Sequence, residues 1–347
     1  MKATYHKYIL IFKRPSGTSR GIMNEKETWF IVLEKDGKKG IGECGILRGL
    51  SCDDRPDYEE KLAWTCANIH LGIDVLWEAL IAFPSIQFGV EMAFQSLASS
   101  NPFLLFPSDF TNGTKSISIN GLVWMGNEAF MKQQIEEKLA EGFYCIKLKI
   151  GAIDFEEELQ LLRFIRQHFT PEQVEIRVDA NGAFDISTAL NKLNQLSGFK
   201  LHSIEQPIQK NNTDRMAELC KTSPIPIALD EELIGVFSVA KKEDLLLKIK
   251  PQYIILKPSF VGGFRGTNEW ISLAEKHKIK WWITSALESN IGLNAIAQWS
   301  FLQQNNMPQG LGTGGLYTNN FDCQLEVFEG QLWFRNNRDF QFNFEVI

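Results

Sequence analysis

The sequence has no apolar run near the roughly 20 residues a helix needs to cross a bilayer, so no membrane role is expected. It has no long basic run. Lys and Arg number 36 against 42 Asp and Glu, a net charge of −6, which disfavours nucleic acid as a partner. Only five histidines occur, scattered and without an HExxH pair, so zinc chemistry has no support. The six cysteines (Cys44, Cys52, Cys66, Cys145, Cys220, Cys323) form no CxxC and read as buried thiols in a reducing cytoplasm. A secretion signal is not expected either. The apolar stretch within Met1–Arg14 is short and bounded by lysines, and it reads better as a first strand. The Asn-x-Thr patterns at Asn112 and Asn211 therefore carry no weight. Gly310–Gly315 is glycine-rich but lacks dinucleotide-loop spacing and a following helix with a ribose-binding acid. It reads as a strand end plus turn.

What is present is globular: 44% hydrophobic and 22% charged residues over 347 positions. That length suits a barrel of roughly 250 residues plus a smaller domain. Residues 5–12 and 28–33 read as strands, and Asp36-Gly37 as a hairpin turn leading into Gly40–Glu43. Pro15–Gly21 is rich in turn residues and is expected to be a mobile loop. Helical spacing follows at 57–71 and 86–99, so residues 1–110 are expected to form an α+β domain, ending in a linker near Pro102–Thr114. From 116–123 (strand) and 127–141 (helix) onward, short apolar strands alternate with amphipathic helices. The alternation runs to a helix at 291–304 and a short strand near Gly310–Gly312. The fold class expected is α/β, with 111–320 closing as a modified (β/α)7β barrel of TIM type. Residues 321–347 return to strand texture and are expected to complete the first domain by packing back on it.

Within the alternating region, Cys145–Gly151 has period two, with Lys147 and Lys149 on one face. Alone this could be a solvated edge strand. The following strands each end on a polar residue: Lys149, Asp179, Glu205, Asp230, Lys257 and Ser285, at spacings of 30, 26, 25, 27 and 28 residues. In a barrel those positions converge on the C-terminal mouth, where active sites lie. One such acid would read as a helix cap. Three in consecutive units would repel one another, and a hard divalent cation relieves this. All-oxygen ligation by Asp179, Glu205 and Asp230 fits Mg²⁺ best, with Mn²⁺ as a substitute. Lys149 and Lys257 would then flank a carboxylate substrate on the ion, where a lysine can serve as base. The chemistry implied is proton abstraction beside a carboxylate.

Lys147-Leu148-Lys149, Asp179-Ala180-Asn181, Glu205-Gln206-Pro207, Asp230-Glu231 and Lys257-Pro258 followed by Gly262-Gly263 resemble the muconate-lactonizing branch of the enolase superfamily. The resemblance covers nearly the whole chain and implies a capping domain, the modified barrel and an obligatory Mg²⁺. Gly42–Ser51, Ser285–Ser289 and Gly310–Gly314 before Tyr317–Asn320 are similar to the o-succinylbenzoate synthase family of menaquinone biosynthesis. Cys44 and Arg48 depart from that family's commoner pattern. This resemblance implies syn β-elimination of water from 2-succinyl-6-hydroxy-2,4-cyclohexadiene-1-carboxylate to give o-succinylbenzoate, through an enediolate. Lys149 would take the α-proton and protonate the leaving hydroxyl, and Lys257 would stay protonated opposite. Lys147 would contact the carboxylate and favour the unprotonated form of Lys149 by like-charge repulsion. Asn181 and Glu231 would steady the metal ligands. Ser285 and the Gly312 backbone would face the succinyl carboxylate, with Arg20 and Leu50 in the cap loops. Arg177 has two readings, contact with substrate or pairing with Glu175. Cys145 and Trp281-Trp282 read as packing. The rival is an N-acylamino acid racemase or dipeptide epimerase of the same fold. The absence of an acid around 310–315 weighs mildly against it.

Overall fold

The computed structural model describes residues 1–18 and 21–344. Three antiparallel strands open the chain: β1 (Lys2–Thr18), β2 (Gly21–Lys35) and β3 (Lys38–Gly45). β2 and β3 turn at Asp36-Gly37, whose φ angles of 51° and 74° are the left-handed pair a two-residue hairpin needs. Of the loop expected over Pro15–Gly21, residues 15–18 and 21 are strand, and the rest lies outside the described residues. Ser16 and Gly17 pair with Met23 and Ile22 after a register shift beyond Ile11, and the turn-forming residues absorb that irregularity.

Three helices follow: α1 (Tyr58–Ala67), α2 (Ile73–Ala79) and α3 (Pro84–Ala98). At seven residues, α2 is too short for its period to be read from sequence. Trp29, Ile31 and Leu33 of β2 form a core with Leu62, Ile86 and Val90. α3 approaches β3 closely enough to need glycine on both sides. A Cβ on Gly42 would fall 1.8 Å from the Gly89 carbonyl oxygen, and one on Gly89 would fall 2.1 Å from the Cys44 sulfur.

The chain then runs β4 (Ile117–Ser118), β5 (Gly121–Val123), α4 (Glu128–Ala140), β6 (Cys145–Lys149), α5 (Phe155–His168), β7 (Glu175–Asp179) and α6 (Ala189–Leu196). It continues through β8 (Ser203–Glu205), α7 (Thr213–Thr222), β9 (Ile227–Leu229), α8 (Val239–Ile249), β10 (Tyr253–Leu256), α9 (Pro258–Val261), α10 (Gly263–Lys276), β11 (Lys280–Ile283) and α11 (Asn290–Leu302). Strands β5 to β11 form one parallel half-barrel sheet in chain order. In β10 the residues are buried whichever way they point, as in Ile254-Ile255-Leu256, which is why this strand reads as an unbroken apolar run. Beyond the sheet's edges, Gln309 pairs with Ile119, just before β5, and Gly310 with Thr284, just after β11, both parallel.

The single strand expected over 116–123 is two, because β4 turns away to join β12 (Leu325–Phe328) and β13 (Gln331–Phe334). The C-terminal segment therefore divides. Its hairpin extends β4, while Phe342 packs edge-on to Phe30 of β2 and Phe340 stacks on Phe103 at 3.9 Å. All six cysteines are free, and no helix among the described residues is long and apolar enough to cross a membrane.

Candidate active site

Register assembles the site. Lys149, Asp179 and Glu205 are direct cross-strand partners on β6, β7 and β8. Asp230 follows β9 immediately and Lys257 follows β10. Period two puts Lys147 on the same side as Lys149. All of these except Lys257 are buried, and the side chain of Lys257 is 12% exposed. Lys147 Nζ lies 3.0 Å from Asp179 Oδ2 and 2.5 Å from Glu205 Oε2. Lys149 Nζ donates to Asp179 Oδ2 at 3.0 Å and to Asn181 Oδ1 at 2.8 Å, and Lys257 donates to Asp230. Asn181, at φ 45°, ties the layer together: its N–H donates to Asp179 Oδ1 and its Nδ2 to Glu231 Oε1. Asn181 thus contacts both Asp179 and Glu231.

The charges oppose burial. Desolvation alone would raise the Asp179 carboxyl, but Lys147 and Lys149 hold it well below its ordinary range. Burial and the neighbouring Asp179 push Glu205 up to about 8. Burial disfavours the Lys147 ammonium, yet Asp179 and Glu205 outweigh it and raise its pKa. Lys257 is raised in the same way, with Asp230 and Glu205 overcoming desolvation.

Among the described residues the acids do not converge into a ready-made metal cluster, because the Lys147 ammonium sits between Asp179 and Glu205. Their chemistry nevertheless fits a hard cation. The donors are three carboxylates from consecutive strand ends, and Glu205 Oε1 is buried without a hydrogen-bond partner, which an ion would supply.

A cavity of about 280 Å³ opens over this floor, with Lys147, Lys149 and Lys257 in its lining. Leu50, Ser285 and Gly312 also line it, whereas Arg20 lies outside the described residues. Arg177 does not. Its Nε donates to Glu175 Oε1 at 2.7 Å, its Nη1 to the Pro308 carbonyl at 2.8 Å, and its guanidinium lies 4.3 Å from the Trp282 ring centroid. Of its two readings the structure has the ion pair, because the nearest acceptors lie toward the start of the strand. Cys145 is buried, and burial pushes its thiol well up. Sequence reasoning missed Ile22 and Met23 on the first hairpin, and Asn120, Leu122 and Trp124 around β5. The last three alternate at period two, a signal present in the sequence but without a charged strand end to draw notice.

Acid and lysine side chains at consecutive ends of a parallel sheet are an enolase-type arrangement, and residues 130–337 match the family described as "Enolase C-terminal domain-like", to which the chain belongs. Within it, the chain is 48% identical to o-succinylbenzoate synthase of Desulfotalea psychrophila, over 96% of this chain and 98% of the relative. The crystal structure of MenC from Desulfotalea psychrophila LSv54 superposes with a TM-score of 0.85 at 44% identity, covering 96% of this chain and 99% of that one. An L-amino acid-D/L-Glu epimerase of Francisella philomiragia is 25% identical over 84% of each chain. The protein is thus an enzyme of the o-succinylbenzoate synthase family, whose members are lyases.

Proposed function

We propose that the protein dehydrates 2-succinyl-6-hydroxy-2,4-cyclohexadiene-1-carboxylate to o-succinylbenzoate, in the cytoplasm, with Mg²⁺ held by Asp179, Glu205 and Asp230. The observation that carries this reading is the near-complete, 48% identical match to an o-succinylbenzoate synthase, together with Lys149 and Lys257 at the strand ends. The ion, when bound, supplies positive charge that holds the ring carboxylate and acidifies the adjacent C–H. Lys149 removes that proton and returns it to the leaving hydroxyl, since one base on one face suffices for syn elimination. Lys257 remains protonated opposite and stabilises developing negative charge. Lys147 adds a further cation beside the carboxylate. Asn181 and Glu231 orient the ligand carboxylates, and Ser285, Gly312 and Leu50 contact the rest of the substrate.

The same reading gives 111–320 as a (β/α)7β barrel closed by Gln309-Gly310, capped by 1–110 together with 321–347. The parallel bridges of Gln309 to Ile119 and of Gly310 to Thr284, next to the two ends of the sheet, support closure.

The test is spectrophotometric. Purified protein with Mg²⁺ should consume the diene absorbance of the hydroxydiene acid, and Lys149→Ala or a chelator should abolish this. With general base catalysis lost, a drop of at least about 10³-fold is expected for Lys149→Ala. No turnover by folded protein, together with α-proton exchange on N-succinyl amino acids or dipeptides, would replace dehydration with epimerisation.

A further inference from the structure

A second cavity of about 290 Å³ lies beside the first. The two share Asn120, Leu122, Trp124, Gly312 and Thr313. The second is lined by Lys13, Arg14 and Lys138 against a single carboxylate, Glu137, so its walls are net positive. Arg14 lies 3.6 Å from Glu137, and Lys138 reaches Glu141 at 2.6 Å.

Asn120 stands where the cavities meet. It is 5% exposed, and its Oδ1 is buried with no hydrogen-bond partner. Its backbone is fixed, because its N–H donates to the Gln309 carbonyl at 3.0 Å, next to the Ile119–Gln309 bridge. A buried amide oxygen without a partner costs stability, and such a cost is tolerable in a cavity wall where a ligand completes the bond. The carboxamide can turn over to present either its oxygen or its NH2 group without changing shape. Ser285 Oγ and Thr313 Oγ1, 2.6 Å apart, continue the wall with neutral groups. The cavity thus has two polar regions. Its lysines suit the carboxylate that reacts, and its neutral wall, backed by the second cavity's cations, suits another acid.

We propose that Asn120 is a specificity-determining residue for the substrate's non-reacting arm, its carboxamide NH2 donating to the terminal carboxylate of that arm. The inference rests on the dehydratase reading for the presence of two acids in one substrate.

Two ligands test it with Mg²⁺ present: o-succinylbenzoate, and 2-butanoylbenzoate, whose arm ends in methyl. Asn120→Leu should weaken o-succinylbenzoate by about 10- to 100-fold and 2-butanoylbenzoate by less than about threefold, the loss of one hydrogen bond to a charged group. KM for the hydroxydiene acid should rise with the first figure, while kcat changes by less than about threefold. Asn120→Asp, which sets a like charge against the arm, should weaken the diacid more than the leucine variant does, and thermal melting confirms that each variant is folded. Folded variants that weaken both ligands equally, or neither, overturn the inference alone if the wild type binds the diacid and dehydrates its substrate. A wild type that does neither overturns the dehydratase reading, and this inference with it.

Discussion

Lys147 bridges Asp179 and Glu205, and all three side chains are at most 8% exposed. Its removal leaves the buried Glu205 carboxylate without its cation, while Asp179 keeps Lys149 at 3.0 Å, and breaking such a buried pair costs about 3–5 kcal/mol. Lys147→Met should therefore lower the urea-unfolding free energy by that much in chelator, and added Mg²⁺ should restore most of it by taking over the neutralising charge. A variant as stable as wild type in chelator would mean that the carboxylates need no such partner. The acids and lysines were legible from sequence because alternation and one-unit spacing are local properties of the chain. The direction of Arg177 was not. It shares a face with Asp179, but Glu175 and the Pro308 carbonyl decide where its guanidinium points, and Pro308 is 131 residues away.

Glu91 on α3 caps a second element. Its carboxylate accepts from the Phe264 and Arg265 N–H groups in the first turn of α10. Burial pushes its carboxyl from 4.5 up to about 7, the two backbone bonds opposing only in part. A folded pKa above the unfolded one means the contribution is full below about pH 4.5 and is lost as pH rises through 7. Glu91→Gln keeps one acceptor oxygen and removes the titration. The stability of wild type relative to Glu91→Gln should fall by about 2 kcal/mol between pH 5 and pH 8, read from urea midpoints at each pH. A difference independent of pH would place the Glu91 carboxyl outside this range. Elements whose pattern is local matched the sequence closely, as β6 (Cys145–Lys149) and α5 (Phe155–His168) do against 144–150 and 154–168. The division of 116–123 into β4 and β5 did not. It arises when Ile117 and Ser118 pair with Leu332 and Gln331, which no local window contains.

The active-site cavity lies between two parts of the molecule, with Ile22, Met23 and Leu50 from the N-terminal part and the strand ends from the parallel sheet. The sequence marks both parts by their change of texture, but it does not mark how they are joined. Glu43, fully buried on β3, is one such joint, as Glu91 is another. The Glu43 carboxylate accepts from Thr28 Oγ1 within its own sheet and from Ser289 N–H, Ser289 Oγ and Gly292 N–H at the start of α11. Glu43→Ala leaves those buried donors unpaired across the interface, at a cost of about 3 kcal/mol. The loss falls on the contact between the parts, not within either. Hydrogen exchange should therefore quicken chiefly in β1–β3 and at the start of α11, while β6–β9 keep their protection. KM should rise more than kcat falls, since the lysines keep their places and the cavity roof does not. Glu43→Gln, which keeps one acceptor oxygen, should recover part of both losses. Uniformly faster exchange through the parallel sheet would instead make Glu43 part of one common core, and the two parts would then unfold as a single unit.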